Sequence, residues 1–391
     1  MNYQNNNQQW NGGQSYNPNN AYGSNMPYGQ YPYANQQAYG QFYGNQQNPF
    51  AVRNNPQSYF ENQQKFLRLR EQKREIRTFS TVFALAMLAF LIVSFLLSNV
   101  LVLFNLEGYY KSSDAFSSSI GIFYSLAAVA IPFFIAKIYL SKNKLAPVTE
   151  KTIYAPPKFS LRTVCLIFLS VLGCLASMYV TGIISVFFNA LGFEFASSGE
   201  PEIKNIADII AFFVGTAIMP PLAEEFAMRN VLMQSLRKYG NLFAILASAF
   251  CFGIFHGTPN QIPFALLCGL FIGYAVTATE SIWTGVIIHF IVNGISCMYY
   301  IVAYFTDEDT GDHVYYITVA VLAVLGAICG IIYSLKYKDD FKRIMAAKGP
   351  EDYKTSEKFK KFIFSPVMII AIIIFIIEAI SLIQPISEGV S

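Results

Sequence analysis

The sequence predicts an all-α polytopic membrane protein with about nine transmembrane helices and a disordered N-terminal tail. Of its 391 residues, 54% are hydrophobic and only 13% are charged, which is too apolar and too charge-poor for an ordinary soluble protein. Most apolar residues fall in blocks of about twenty, the length that crosses roughly 30 Å of hydrocarbon. Basic residues collect in alternate loops between these blocks, as the positive-inside rule describes for membrane proteins.

The chain begins with a polar segment rich in Asn, Gln, Tyr, Gly and Pro. Such a composition cannot bury enough apolar surface to offset the entropy lost on ordering, so we predict a disordered tail over residues 1–63. The basic segment that follows, 64–79, is predicted to be a cytoplasmic juxtamembrane helix that can lie on anionic lipid headgroups. The adjacent span accounts for this charge, so nucleic acid is not an expected partner.

The apolar blocks give the positions of the transmembrane helices. The predicted spans cover about 80–104, 118–140, 162–190, 206–235, 241–256, 261–279, 282–304, 314–335 and 362–383. Loops on the predicted inner side, 141–161 and 336–361, are basic, whereas the outer loops 194–202 and 306–309 are acidic. This alternation predicts a cytoplasmic N-terminus and an external C-terminus. Glu378, in the last span, is expected at the outer interface.

The cysteines do not indicate a disulfide framework or a zinc-binding cluster. All of them lie within apolar blocks and none forms a CxxC pair, so we interpret them as small core residues. They are Cys165, Cys174, Cys251, Cys268, Cys297 and Cys329.

The fourth predicted span carries charge where charge is expensive. A charged side chain at membrane depth costs roughly 2.5–3.5 kcal/mol on insertion scales. Glu225 and Arg229 are spaced i, i+4, so they share a helical face and can form an ion pair. Glu224 points about 100° away and lacks a local cation, which makes it a candidate general base. Pro220-Pro221 predicts a kink or break just before it; two glutamates that merely cap a half-helix are the alternative.

Two of the three histidines in the chain also lie within apolar spans. His256 ends the fifth span, with Phe252 one turn earlier on the same face, and His289 lies in the seventh span with Asn293 one turn later. Each histidine alone is most simply a buried core residue. Two histidines together with an asparagine and an intramembrane pair of glutamates indicate a functional site.

Residues of these types can hydrolyse a peptide bond in two ways. A glutamate and a histidine can polarise one water molecule, while an asparagine and a second imidazole donate to the developing oxyanion. Alternatively, Glu224, His256 and His289 would hold Zn²⁺ with an open position for water. The spacing does not resemble HExxH, so such a metal site would be assembled from separate helices. Both interpretations predict hydrolysis in or beside the membrane.

Three motifs in this order carry a family resemblance. Glu224-Glu225-xxx-Arg229, Phe252-xxx-His256 and His289-xxx-Asn293 resemble the EExxxR, FxxxH and HxxxN/B signature of the CPBP family, also called the Abi or type II CAAX prenyl endopeptidase family. The resemblance covers about residues 205–300. It implies that Glu224 and His256 activate water, that His289 and Asn293 form the oxyanion hole, and that the remaining three motif residues, Glu225, Arg229 and Phe252, support them. It leaves open a metalloprotease or a metal-independent glutamate protease.

The resemblance also divides the membrane-embedded part of the chain. We predict N-terminal transmembrane helices in 80–204, the CPBP catalytic core in 205–304 and C-terminal transmembrane helices in 305–391. The added Asn/Gln/Tyr-rich tail indicates a bacterial branch of the family, in which prenylated CAAX proteins are not the expected substrate.

The overall prediction is a multi-pass intramembrane endopeptidase of the cell membrane. Its expected partners are the lipid bilayer and a membrane-associated or lipid-modified protein or peptide as substrate, and Zn²⁺ is its only candidate cofactor. One alternative is a non-catalytic membrane scaffold of the bacteriocin-immunity type. The other is a transporter. The sequence shows no internal repeat with matching broken helices, which counts against a transporter.

Overall fold

The structure is a computed structural model. It describes residues 56–106, 125–145, 153–196, 203–347 and 353–386, together with 108, 116, 119, 120, 122, 123, 201 and 349. Residues 1–55 of the predicted tail lie outside this part of the chain. Residues 56–63, which the sequence assigns to the tail, are helical, because the first helix begins at Pro56 and runs without interruption through the basic juxtamembrane segment.

The described residues confirm the all-α class. The helices are α1 (Pro56–Leu103), α2 (Ile131–Lys142, preceded by a π-helical turn over Ser125–Ala130), α3 (Leu161–Ala190), α4 (Ile206–Tyr239), α5 (Asn241–Phe255), α6 (Gln261–Thr279), α7 (Ile282–Phe305), α8 (Glu308–Lys336), α9 (Asp340–Met345), α10 (Thr355–Ile363) and α11 (Pro366–Ser381). Six of them (α1, α3, α4, α6, α7 and α8) are long and apolar enough to cross a membrane.

The predicted count of nine spans is not confirmed. Counting the bent pair α10–α11 as one span gives up to seven in the part of the chain that the structure describes. Helix α5 is apolar but has only 15 residues, about 22 Å at 1.5 Å per residue. The second predicted span lies only partly within the described residues.

Helix α4 is continuous through Pro220 and Pro221, where the sequence predicts a kink or break. A π-helical segment, Val214–Ile218, precedes the two prolines, and a second one, Phe226–Met233, follows them. Proline lacks an N–H and its ring clashes with the preceding turn of a regular α-helix; the wider π turn is a common local adjustment in helices. Glu224 and Glu225 therefore lie inside a helix, between two π segments, and do not begin a half-helix.

Helices α5 and α6 form a tightly packed antiparallel hairpin. A Cβ on Gly253 would lie 2.8 Å from Ile262 O, and a Cβ on Gly269 would lie 2.9 Å from Ala249 Cα, so only glycine allows the two backbones to approach this closely. At the open end, the guanidinium of Arg237 makes two 2.6 Å hydrogen bonds to the carboxylate of Glu280. The α5–α6 hairpin is thereby tied to the end of α4.

Aromatic side chains gather around the last turn of α5. The ring of Phe255 lies 4.4 Å from that of Phe90 in α1, 5.9 Å from that of Phe133 and 6.1 Å from that of Phe375 in α11. All three distances are in the range of favourable aromatic pairs. These contacts fix the end of α5, and with it His256, against three other elements.

The last predicted span consists of two helices that meet at 70°. Pro366 starts α11, and a proline is favourable in the first turn of a helix but not in its interior. The hydroxyl of Ser80 donates to the freed carbonyl of Phe362 at 2.5 Å and lies 2.6 Å from the Ser365 hydroxyl. Contacts with α1 therefore satisfy the polar groups that the bend exposes.

Two three-residue strands, which the sequence analysis did not anticipate, join the far ends of α3 and α11. Strand β1 (Phe193–Phe195) pairs antiparallel with β2 (Ile383–Pro385), so that Glu194 lies opposite Gln384. Backbone hydrogen bonds from Ala196 N to Leu382 O and from Ile386 N to Gly192 O extend the pairing. The strands lie nearly two hundred residues apart in the chain, so no local hairpin signal marks them.

Candidate active site

Three of the predicted site residues meet in space. Glu224 projects from the middle of α4, His256 follows the last residue of α5, and His289 lies in α7. The Oε2 atom of Glu224 is 4.0 Å from Nε2 of His256 and 3.9 Å from Nε2 of His289. The Glu224 side chain is 16% exposed, so the centre of this cluster is shielded but not sealed.

Glu225 contacts two positively chargeable groups at once. Its Oε2 lies 3.2 Å from Nε of Arg229, which is the ion pair that the i, i+4 spacing predicts, and both side chains are fully buried. Its Oε1 lies 3.2 Å from Nδ1 of His289. Because a carboxylate accepts hydrogen bonds, Nδ1 of His289 carries the hydrogen and Nε2 is directed towards Glu224.

The guanidinium of Arg229 is stabilised partly by an aromatic face. Its Cζ lies 4.5 Å from the ring centroid of Phe252, a cation–π contact that is worth about 2 kcal/mol when it is desolvated. Within the described residues, its Nη1 and Nη2 are buried without a hydrogen-bond partner. The charge of Arg229 is therefore balanced by Glu225 and by this ring.

Phe252 also positions both imidazoles. Its ring contacts the ring of His256 edge-on at 4.8 Å and the ring of His289 edge-on at 5.7 Å. Its carbonyl oxygen lies 2.7 Å from Nδ1 of His256. Since a carbonyl only accepts, Nδ1 of His256 is the donor, and in the neutral imidazole Nε2 presents a lone pair towards Glu224. One phenylalanine thus sets the orientation of two histidines and supports an arginine.

Asn293 is placed differently from the other predicted site residues. Its side-chain amide donates to the carbonyl oxygen of Thr216 at 3.0 Å, within the first π segment of α4. The hydrogen bonds of the described residues do not join Asn293 to Glu224 or to either histidine. This contact ties α7 to the irregular part of α4, and the second hydrogen of the Asn293 amide is left for another acceptor.

A residue that the sequence analysis missed supports Glu225 from α7. A Cβ on Gly285 would lie 2.5 Å from Oε2 of Glu225, so the carboxylate occupies the space that any side chain would fill. The i, i+4 spacing between Gly285 and His289 was the available signal. Without the packing of α4 on α7, however, this glycine cannot be told from others in the span.

Glu224, His256 and His289 carry the donor types of a catalytic zinc site. Two imidazoles and a carboxylate are typical zinc ligands, at distances of about 2.0–2.2 Å from the ion. Among the residues that the structure describes, no group of three or more His, Cys, Asp and Glu side chains is placed so as to hold a metal ion. We derive no catalytic step from a metal.

The comparisons with known proteins assign the region that carries these residues. Residues 206–295 match a family model described as type II CAAX prenyl endopeptidase Rce1-like. This match supports the resemblance of residues 206–295 to the CPBP family. No curated protein and no solved structure matched the chain.

The matched segment and the apolar helices indicate a multi-pass membrane protein, related over residues 206–295 to intramembrane CAAX-type proteases. The matched segment runs from the first residue of α4 to the middle of α7. It contains the three residues that converge, Glu224, His256 and His289, as well as Asn293 and the supporting residues. Helices α1–α3 and α8–α11 lie outside the matched segment.

Proposed function

We propose that this protein is an intramembrane endopeptidase that hydrolyses a peptide bond in a membrane-associated or lipid-modified protein or peptide. The observation that carries the proposal is the convergence of Glu224 Oε2 with Nε2 of His256 and Nε2 of His289, at 4.0 Å and 3.9 Å. Those distances exceed direct hydrogen bonds and suit one small molecule held between the groups.

In the proposed reaction, Glu224 and His256 bind and activate the attacking water. The carboxylate and the Nε2 lone pair of His256 are both acceptors, so one water molecule can donate a hydrogen to each. Glu224 takes one proton as the water oxygen bonds to the carbonyl carbon of the substrate, which gives a tetrahedral oxyanion. Glu224 then returns that proton to the amide nitrogen, the C–N bond breaks, and a carboxylic acid and an amine leave.

His289 and Asn293 are proposed to stabilise the oxyanion. For His289 to donate from Nε2 while Nδ1 bonds to Glu225, both ring nitrogens have to carry a hydrogen, and the carboxylates of Glu225 and Glu224 lie 3.2 Å and 3.9 Å from them. Asn293 would donate the side-chain amide hydrogen that is not bonded to the carbonyl oxygen of Thr216. One oxyanion donor is typically worth about 2.7–4 kcal/mol of transition-state stabilisation.

We also propose that the chain has a cytoplasmic N-terminus and an external C-terminus. Residues from three predicted inner segments meet at one end of the helices. Lys238 pairs with Glu75 of α1 at 2.8 Å, and Lys358 of α10 donates to the carbonyl oxygen of Tyr239 at 2.6 Å. This grouping of inner segments supports the orientation that the positive-inside rule gives.

The decisive experiment compares membrane peptides from cells that carry different variants. Cells without their own copy of the gene would express the wild type, Glu224→Gln or Glu194→Gln, and newly formed peptide termini in the membrane fraction would be mapped by mass spectrometry. Glu194 is an exposed acid in β1, which makes it a matched control. We expect the same new termini with the wild type and the control, and none with Glu224→Gln. Identical termini in all three strains would refute the proposed hydrolysis and favour a non-catalytic scaffold or a transporter.

A further inference from the structure

Glu378 of α11 lies beside Gly257, the residue that follows His256. A Cβ on Gly257 would lie 3.0 Å from Oε2 and 3.2 Å from Cδ of Glu378. Gly257 has a φ of +63°, so glycine is favoured there both by the backbone conformation and by the close carboxylate. Helix α11 lies outside the segment 206–295 that the family model covers.

Neighbouring contacts hold this carboxylate in place. Phe375, one turn before Glu378, is buried and packs on Phe255 at the end of α5. Four residues beyond Glu378 the chain reaches Leu382, whose carbonyl accepts from Ala196, and β2 follows directly. Glu378 is therefore fixed from both sides, next to the turn that carries His256.

The carboxylate of Glu378 has no partner that explains its position. Within the described residues it makes no hydrogen bond and no ion pair, although it belongs to an apolar helix. An ionisable side chain in such a helix usually serves a site, because its cost in free energy has to be offset. The hydroxyl of Thr258, directly after Gly257, is also buried without a hydrogen-bond partner in the described part of the chain.

Glu378 is not needed to hold the turn together. The backbone N–H groups of His256 and Gly257 both donate to carbonyls of α5, those of Gly253 and Ile254, at 3.2 Å. The turn is complete without the carboxylate, which leaves its oxygen atoms for a group from outside the chain. Glu378 is also exposed, so that such a group can reach it.

We propose that Glu378 is a specificity-determining residue that binds a cationic Lys or Arg side chain of the substrate close to the scissile bond. This inference rests on the proposed function. A carboxylate binds a guanidinium or ammonium group through charge-assisted hydrogen bonds, which are stronger than those between neutral groups. Because Glu378 adjoins the residue after His256, the basic residue that it selects would lie within a few positions of the hydrolysed bond.

The terminus-mapping experiment tests the inference when two variants of Glu378 are added. With the wild type, we expect the sequences around the new termini to be enriched in Lys or Arg at one fixed position. Glu378→Gln should lower cleavage at those basic sites at least about tenfold while neutral sites are cleaved as before. Glu378→Arg should replace the preference for Lys or Arg by a preference for Asp or Glu. Glu194→Gln should keep the wild-type profile.

The outcomes separate the two proposals. If the wild type produces termini that Glu224→Gln lacks, but shows no basic preference or keeps it in Glu378→Gln, hydrolysis stands and the role of Glu378 is refuted. A uniform loss at basic and neutral sites in Glu378→Gln would also refute it, since that pattern means a general effect on the fold. If the wild type and Glu224→Gln give the same termini, both proposals fail.

Discussion

A fully buried carboxylate on α4 sets the tautomer of an imidazole on α7: Oε1 of Glu225 lies 3.2 Å from Nδ1 of His289. Its other oxygen lies 3.2 Å from Nε of Arg229. The two adjacent glutamates therefore have separate tasks. Glu225 joins the two helices and orients a histidine, while the partly exposed Glu224 faces the space between the two Nε2 atoms.

The buried pair gives the first prediction. Glu225→Gln keeps the shape of the side chain but leaves Arg229 charged and buried, and breaking one partner of such a pair costs about 3–5 kcal/mol. We expect this loss in the free energy of unfolding, measured by denaturant titration in detergent micelles. Glu225→Gln combined with Arg229→Met should regain most of it, because no uncompensated charge remains.

Activity and stability should separate in that double variant. It should stay slow in hydrolysis, since His289 would have a neutral amide in place of its carboxylate partner. Glu224→Gln serves as the control, and we expect its unfolding free energy to stay close to that of the wild type. If the double variant were as unstable as the sum of both single changes, the two residues would not act as a pair.

A pair of glycines in α7 gives the second prediction. Gly285→Ala would place a Cβ 2.5 Å from Oε2 of Glu225 and 2.8 Å from Cγ2 of Val276, whereas a Cβ on Gly294 would meet nothing within 4 Å. Overpacking of this kind costs about 1–3 kcal/mol. We expect Gly285→Ala to lower both the unfolding temperature and the rate of hydrolysis, and Gly294→Ala to lower neither. If neither variant lowered the unfolding temperature, α7 would tolerate an added methyl group even beside Glu225. If both lowered it equally, the loss would not depend on Glu225.

The sequence was sufficient for the helical class, for one contact inside a helix and for the set of residues that forms the candidate site, but not for the detailed contacts between helices. The all-α class, the ion pair between Glu225 and Arg229 and the association of Glu224 with two histidines follow from hydropathy, from i, i+4 spacing and from the rarity of charge in apolar spans. Each of these depends on the helical period or on a residue type that is rare at membrane depth.

Relationships between helices could not be obtained in this way. The contact of Glu225 with His289 and the position of Asn293 against Thr216 depend on how α7 packs on α4. Glu378 lies beside Gly257 in a helix, α11, that starts after a 70° bend. Of the predicted kink or break at Pro220, a break does not occur, because π turns, which have no sequence signature comparable to that of proline, accompany the two prolines in a continuous helix.

The chemistry of the site leads to a third prediction, on metal removal. The proposed steps use Glu224, His256 and His289 without a metal ion. Treating the purified protein with EDTA or 1,10-phenanthroline should therefore leave the initial rate of hydrolysis unchanged, and elemental analysis should find well under one metal ion per chain. A lost rate that added zinc restores, but magnesium does not, would show that these three residues bind a metal and would overturn the water-activation scheme.

The fourth prediction concerns pH and a residue outside the membrane spans, Asp307, which caps the N-terminus of α8. Its carboxylate accepts from Thr310 N at 2.8 Å and from the Thr310 hydroxyl at 3.0 Å. These hydrogen bonds, the backbone one first, hold the pKa of Asp307 below its usual value. A lowered pKa in the folded state means that the stabilisation is complete above the unfolded pKa of about 3.9 and is lost as pH falls through the folded pKa.

Asn also caps helices but does not titrate, so Asp307→Asn should melt below the wild type at pH 7, and the difference should shrink as pH falls below about 4. A melting-temperature difference that stays constant from pH 7 to pH 3 would show that ionised Asp307 contributes nothing beyond its shape.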